Sequence, residues 1–171
     1  MKIKNRLSIS SLSLAAAATL VAMPMAVQAD ATGSLTVSAQ VAPVCEIVTT
    51  APVAFGTLDP TADNDSAGSV VWQCTTGTST EVLLDGGAQG AADGTARQMS
   101  DGGTNTLPYQ LFTDAGRTNE WLNTATNGVS VTGVGYLGGD ALSVYGRVTQ
   151  ADAAAAINAS YTDTVTVTIV F

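Results

Sequence analysis

Two runs of alternating apolar and polar residues bracket this chain, and almost nothing between them has a helical period. Near the N-terminus, Leu35, Val37, Ala39 and Val41 alternate with Ser34, Thr36, Ser38 and Gln40. At the C-terminus, Val165, Val167, Ile169 and Phe171 alternate with Thr164, Thr166, Thr168 and Val170. A period of two marks a strand with one apolar face. A strand at a chain end must pair with some sheet, because its backbone donors and acceptors need partners. The pattern alone leaves open whether Gly33–Val41 pairs within its own chain or with another.

The stretch ahead of that first run has a different character. Lys2, Lys4 and Arg6 precede a largely apolar run from about Leu12 to Met25, and Ala26-Val27-Gln28-Ala29 supplies small residues at its end. This is the layout of a secretory signal. A membrane anchor fits less well, since the run is short, alanine-rich and followed at once by polar sequence. Residues 1–29 are therefore set aside, and the remaining 142 residues suffice for one domain with a true core.

Without the signal, the basic side chains are Arg97, Arg117 and Arg147 alone, against 14 acidic residues, a formal charge of −11. Nucleic acid is excluded as a partner, because no basic patch could replace phosphate counterions. With no histidine, neither a Ser-His-Asp nor a Cys-His arrangement is available, and with no lysine in this part there is no Schiff base. An enzyme is not expected, and no cofactor or metal is expected either. Asp63 and Asp65 lie close together, but in a polar stretch without large apolar neighbours to raise a pKa, so they read as a solvated loop. Cys45 and Cys74 are the two cysteines; export makes a disulfide between them the default reading.

Between the ends the pattern is short strands and turn chemistry. Expected strands include Glu46–Thr50, Ser69–Cys74, with Val70, Trp72 and Cys74 facing the core, Thr80–Leu84, Arg97–Ser100, Leu107–Thr113 and Ala141–Val148. Thr61–Gly68 reads as a polar loop, and Asp85-Gly86-Gly87, Asp101-Gly102-Gly103 and Gly138-Gly139-Asp140 as turns. Asp152–Ile157 allows one helical turn. Many short strands separated by Gly, Asp and Asn predict an all-β sandwich.

Several pieces, in order, resemble one family. They are Thr32-Gly33-Ser34-Leu35-Thr36-Val37 leading to Cys45, then Phe55-Gly56-Thr57-Leu58 and Cys74. Next come Leu107-Pro108-Tyr109-Gln110-Leu111-Phe112-Thr113-Asp114 with Arg117 and Trp121, and last the ending Tyr161 to Phe171. Together they are similar to the spore coat protein U domain family, which includes subunits of archaic, or Csu-type, chaperone–usher pili. The resemblance implies an incomplete immunoglobulin-like β-sandwich, completed by a donor strand from a neighbouring subunit or a chaperone. It implies residues 1–29 as signal peptide, 30–44 as a donor-strand extension and 45–171 as the pilin-like domain. Leu35, Val37, Ala39 and Val41 would be the donor residues. Val165, Val167, Ile169 and Phe171 would face the acceptor groove. The implied partners are identical subunits in a homopolymer, a periplasmic chaperone and an outer-membrane usher during assembly, with a tip adhesin as a further candidate. The implied location is a pilus on the cell surface, reached through the periplasm, serving attachment and biofilm formation. Ala39 is small for a donor position. The absence of a second domain points to a shaft subunit rather than a two-domain adhesin. The alternatives are a secreted coat protein of the same fold on a spore or cell surface, and a monomeric extracellular binding module.

Overall fold

The computed structural model describes residues 28–124 and 126–171. The expected signal segment therefore lies almost wholly outside the described residues. The chain divides into two units, residues 1–39 and 40–171. Of the first, residues 28–39 carry no helix or strand and are exposed. Gly33–Val41, expected as a strand, is thus not part of any sheet here.

The described residues of the second unit form nine strands and one short helix. A four-stranded antiparallel sheet has the order β1 (Cys45–Ala51), β2 (Asn64–Cys74), β8 (Gly135–Val148), β6 (Gln110–Phe112). A three-stranded sheet has the order β7 (Val129–Thr132), β3 (Ser79–Leu84), β9 (Val167–Val170). A small ribbon joins β4 (Gln98–Ser100) to β5 (Thr106–Pro108). The core lies between the two larger sheets. Val70, Val144, Val148 and Leu111 come from one, and Val82 and Leu84 from the other. Alternation within each strand aims these residues inward. In β2, Val70, Trp72 and Cys74 are all buried, as their spacing predicts. Cys45 and Cys74 stand opposite one another in the β1–β2 register and form a disulfide.

Five expectations are corrected by long-range pairing. β2 begins at Asn64, so the polar stretch Asn64–Gly68 is strand, not loop. Its polar side chains fit because β8 lies alongside: Asp65 sits opposite Arg147, and that arginine donates to both carboxylate oxygens at 2.8 and 2.9 Å. Asp65 also pairs with Arg117 at 3.1 Å, and Asp63 with Arg147 at 3.5 Å. The two carboxylates are therefore ion-paired rather than merely solvated. Gly138-Gly139-Asp140 is not a turn either, but lies within β8. Register explains the glycines: Trp72 faces Asp140, while Cys74 faces Gly135. Two steps along β2 meet five along β8, so the chain bulges here. A Cβ on Gly139 would press on Val71.

Leu107–Thr113 splits at Tyr109 into β5 and β6, which serve different sheets. At the C-terminus, Thr162 only bridges to Ser100, and regular pairing is confined to Val167–Val170. The helical turn is present as α1 (Gln150–Ala155), where Thr149 caps the N-terminus by accepting from the Asp152 amide.

One buried group had no periodic signal to announce it. Arg97 is 1% exposed, and its guanidinium donates to the carbonyls of Asp85, Leu84 and Trp121 at 2.7 to 2.8 Å. Trp121, fully buried, in turn donates its indole N–H to the Val82 carbonyl at 2.9 Å. Together they tie the end of β3 to the loops beyond it.

The disulfide closes a loop of 29 residues. Replacing both cysteines by serine should destabilise the fold by about 3–4 kcal/mol in the chain-entropy account. Urea unfolding of the variant beside the oxidised protein reads this directly, and equal midpoints would refute it.

Candidate functional site

The feature with the most to offer a partner is a gap between two strand edges. β1 is paired with β2 on one side only, and β9 with β3 on one side only. The other edges of β1 and β9 have no strand partner among the described residues. Such an edge presents unpaired N–H and C=O groups, a template for another strand.

Between these edges opens a cavity of about 400 Å³. One wall continues from the end of β1 through Pro52, Val53 and Phe55. This strap packs tightly on β8, where a Cβ on Gly146 would overlap Val53 and Phe55. The opposite wall is the C-terminal segment, through Tyr161, Val165 and Val167. The floor is the core itself, including Val70, Leu84 and Val144. The groove thus opens onto the apolar interior between the sheets.

A set of acidic side chains fixes the C-terminal wall. Asp85 receives the Thr166 amide on its carboxylate at 2.7 Å, and the Asp85 amide donates to the Thr166 carbonyl at 3.1 Å. The same carboxylate accepts from the Gly87 amide at 2.9 Å, which closes the Asp85-Gly86-Gly87 turn. Asp163 accepts from the Tyr109 hydroxyl at 2.6 Å and from the Ala88 amide at 2.8 Å. Gly87 has a φ of +73°, and any Cβ there would collide with the Asp163 carboxylate. Ser100 and Thr162 exchange two backbone hydrogen bonds of 2.9 Å. Burial and the Asp163 contact push the Tyr109 pKa well above its usual value, so the phenol remains a donor. Burial alone would raise the pKa of Asp85, but hydrogen bonds from Thr166 and Gly87 outweigh it and hold the carboxyl below its ordinary 3.8.

The residues singled out from sequence fall in different places. Val165, Val167 and Ile169 are half-buried and pack against the core, and the first two line the groove. Phe171 is 58% exposed, beyond the end of β9. Leu35, Val37 and Val41 are between 81% and 88% exposed, and Ala39 is exposed as well. Their apolar side chains are thus presented to solvent. Sequence reasoning missed Asp85 and Asp163 as the fasteners of the wall. The Asp-Gly-Gly triplet marked a turn at Asp85, but its bond to Thr166 spans 81 positions. The three arginines of residues 30–171 all engage internal partners: Arg97 the carbonyls above, Arg117 and Arg147 the carboxylate of Asp65.

The wall has an acid dependence with a definite sign. A carboxyl whose folded pKa is depressed contributes stability above its unfolded value, and this is lost as pH falls through the folded pKa. For Asp85 that window lies below 3.8. Asp85→Asn should lower the thermal midpoint at pH 6 by the equivalent of about 1 kcal/mol, the difference between a charged and a neutral acceptor. The difference should shrink progressively as pH falls below 3.8, and a difference that stays constant or grows on acidification would contradict the assignment.

Comparison with known proteins agrees with the fold. A family model described as Spore Coat Protein U domain matches residues 31–168. Protein U of Myxococcus xanthus is 32% identical over 182 aligned positions, covering 98% of this chain and 99% of that protein. Among solved structures, one similar chain comes from the CsuC–CsuE chaperone–tip adhesion subunit pre-assembly complex of archaic chaperone–usher Csu pili of Acinetobacter baumannii. It aligns at a TM-score of 0.52 and 24% identity, over 77% of this chain. This chain spans 40% of the length of that one, so the likeness concerns the sandwich fold. On the match across residues 31–168 and the full-length relative, the chain belongs to the spore coat protein U domain family.

Proposed function

We propose that this protein is a structural, non-enzymatic subunit of a chaperone–usher pilus. In this reading it polymerises when the N-terminal segment of one copy fills the groove of the next. The open gap between the free edges of β1 and β9 carries the proposal. Residues 30–44 act as the donor, with Leu35, Val37, Ala39 and Val41 as the inserted residues. A periplasmic chaperone covers the groove before assembly, and an outer-membrane usher receives the subunit. The similarity to a chaperone-bound pilus subunit supports that sequence of partners. The fibre lies on the cell surface and serves attachment and biofilm formation.

Three physical features support donor exchange. Fully burying Leu35, Val37 and Val41 would contribute roughly 1.5–3 kcal/mol each, with two rows of backbone hydrogen bonds in addition. Residues 31–44 carry no charge, so insertion buries no ion, although the subunit as a whole is strongly acidic. The extension joins the domain at Val44, whereas the cavity lies at the Ala51 end of β1. Six strand steps of about 3.3 Å separate the two ends. Donor and acceptor at opposite ends give a head-to-tail contact, which propagates as a filament.

A coat protein on a spore or cell surface remains the second reading. It is favoured by the family's description and by the end-to-end match with Protein U.

Val37→Asp should abolish polymerisation, because a carboxylate would be driven into an apolar groove. The domain itself should still fold with chaperone, since Val37 lies outside it. Deleting residues 31–41 should give a subunit that accepts a donor but cannot supply one. Size-exclusion chromatography with light scattering separates these outcomes. Wild-type polymer lengths in both variants would refute donor exchange.

A further inference from the structure

Donor exchange raises a competition that the root of the extension is built to decide. A segment tethered beside a groove has an effective concentration in the millimolar range, far above that of any second copy in solution. Unless something prevents it, the extension would fill the groove of its own chain and assembly would stop at the monomer.

The route to self-insertion is a hairpin. Residues 33–41 would have to fold back along the free edge of β1, with the turn near Ala42, Pro43 and Val44. Val44 is not free to turn. Its amide donates to the Thr75 hydroxyl at 3.1 Å, and its carbonyl accepts from the Thr75 amide at 2.9 Å. These bonds extend the β1–β2 ladder one position beyond the Cys45–Cys74 pair. Thr75 is itself held: its hydroxyl lies 2.7 Å from that of Thr78, and the Thr78 amide donates to its carbonyl at 3.1 Å.

With Val44 in the ladder, a hairpin has only Ala42-Pro43 for its two-residue loop. A type I′ turn needs positive φ at both positions, which the proline ring forbids. A type II′ turn needs positive φ at Ala42, which has a Cβ and is steered to extended backbone by the following proline. A three-residue loop would place the β-branched Val44 in the left-handed region and break its bonds to Thr75. A longer loop would draw Val41 and Ala39 out of the donor segment.

We propose that the Ala42-Pro43-Val44 root, locked onto Thr75, directs the donor segment away from its own groove and reserves that groove for a second copy of the chain. This rests on the donor-strand reading above. Proline here acts against a competing structure rather than for the native one.

The test gives the root a hairpin-forming sequence in the full exported chain. Ala42→Asn with Pro43→Gly supplies the favoured type I′ pair. A second variant inserts Gly-Gly-Ser between Val41 and Ala42, leaving every native residue in place. Both should shift the purified protein from polymers to monomers, with at least a tenfold drop in incorporation into fibres. Adding Val37→Asp to either should remove that stable monomer, because the inserted strand is then lost. Should the first variant fail to fold, the insertion decides. If both root variants assemble as wild type while Val37→Asp alone blocks assembly, donor exchange stands and the root has no directing role. If Val37→Asp also assembles normally, the donor reading falls and this inference with it.

Discussion

The outer edges of β1 and β9, without a strand partner among the described residues, govern this molecule. β1 closes one sheet and β9 the other, and the gap between them reaches the apolar floor of the core. An ordinary sandwich would cover both edges or blunt them with charge and proline. Here β9 carries Thr168 among aliphatic residues, and Val165, just before it, and Val167, its first residue, line the groove. In the proposed reading that incompleteness is the assembly mechanism, since a missing strand is a binding site specific for a strand.

In the proposed reading, a groove that accepts another chain has to keep its shape while empty. The polar bonds around it fit that need. Asp85 and Asp163 fasten the C-terminal segment to the turn at Gly86-Gly87, to Ala88 and to Tyr109. Arg97 and Trp121 then fasten that turn to the core through backbone carbonyls. Hydrogen bonds of this kind are modest in net energy but costly to leave unmade. They fix one geometry where apolar packing, interrupted by the cavity, supplies less. On the opposite side, the disulfide holds the start of β1 against β2 at the point where the extension departs.

The strongly acidic composition finds a structural counterpart in the placement of the arginines. Arg117 and Arg147 share Asp65 and join the turn at Asp114–Asn119 to β2 and β8, while Arg97 is buried. What remains on the surface is chiefly negative. Molecules of like charge resist nonspecific association, and in the proposed reading the uncharged residues 31–44 are the part of the chain best able to enter an apolar site.

Much of this fold is written in local pattern. The strand character of Ser69–Cys74 and Thr80–Leu84 and the inward set Val70, Trp72 and Cys74 follow from alternation, and the cysteine pair from there being two cysteines in a chain expected to be exported. Such features depend on neighbours two positions apart, which a linear reading captures. The features that required the folded chain are those set by register between distant segments. Asn64–Gly68 is a strand only because β8 supplies Arg147 opposite Asp65. Gly138-Gly139 is a bulge, not a turn, because β2 continues past it. Arg97 is buried only because three carbonyls from separate segments converge on it. The sequence by itself determined the strand pattern at the C-terminus, that the chain is built of short strands, and that histidine and lysine chemistry is absent from residues 30–171. Only the tertiary structure decided that, among the described residues, the outer edges of β1 and β9 are left without a strand and that the cavity lies beside them. Pairing partners are chosen by the whole topology, and an unpaired edge has the same local sequence as a paired one.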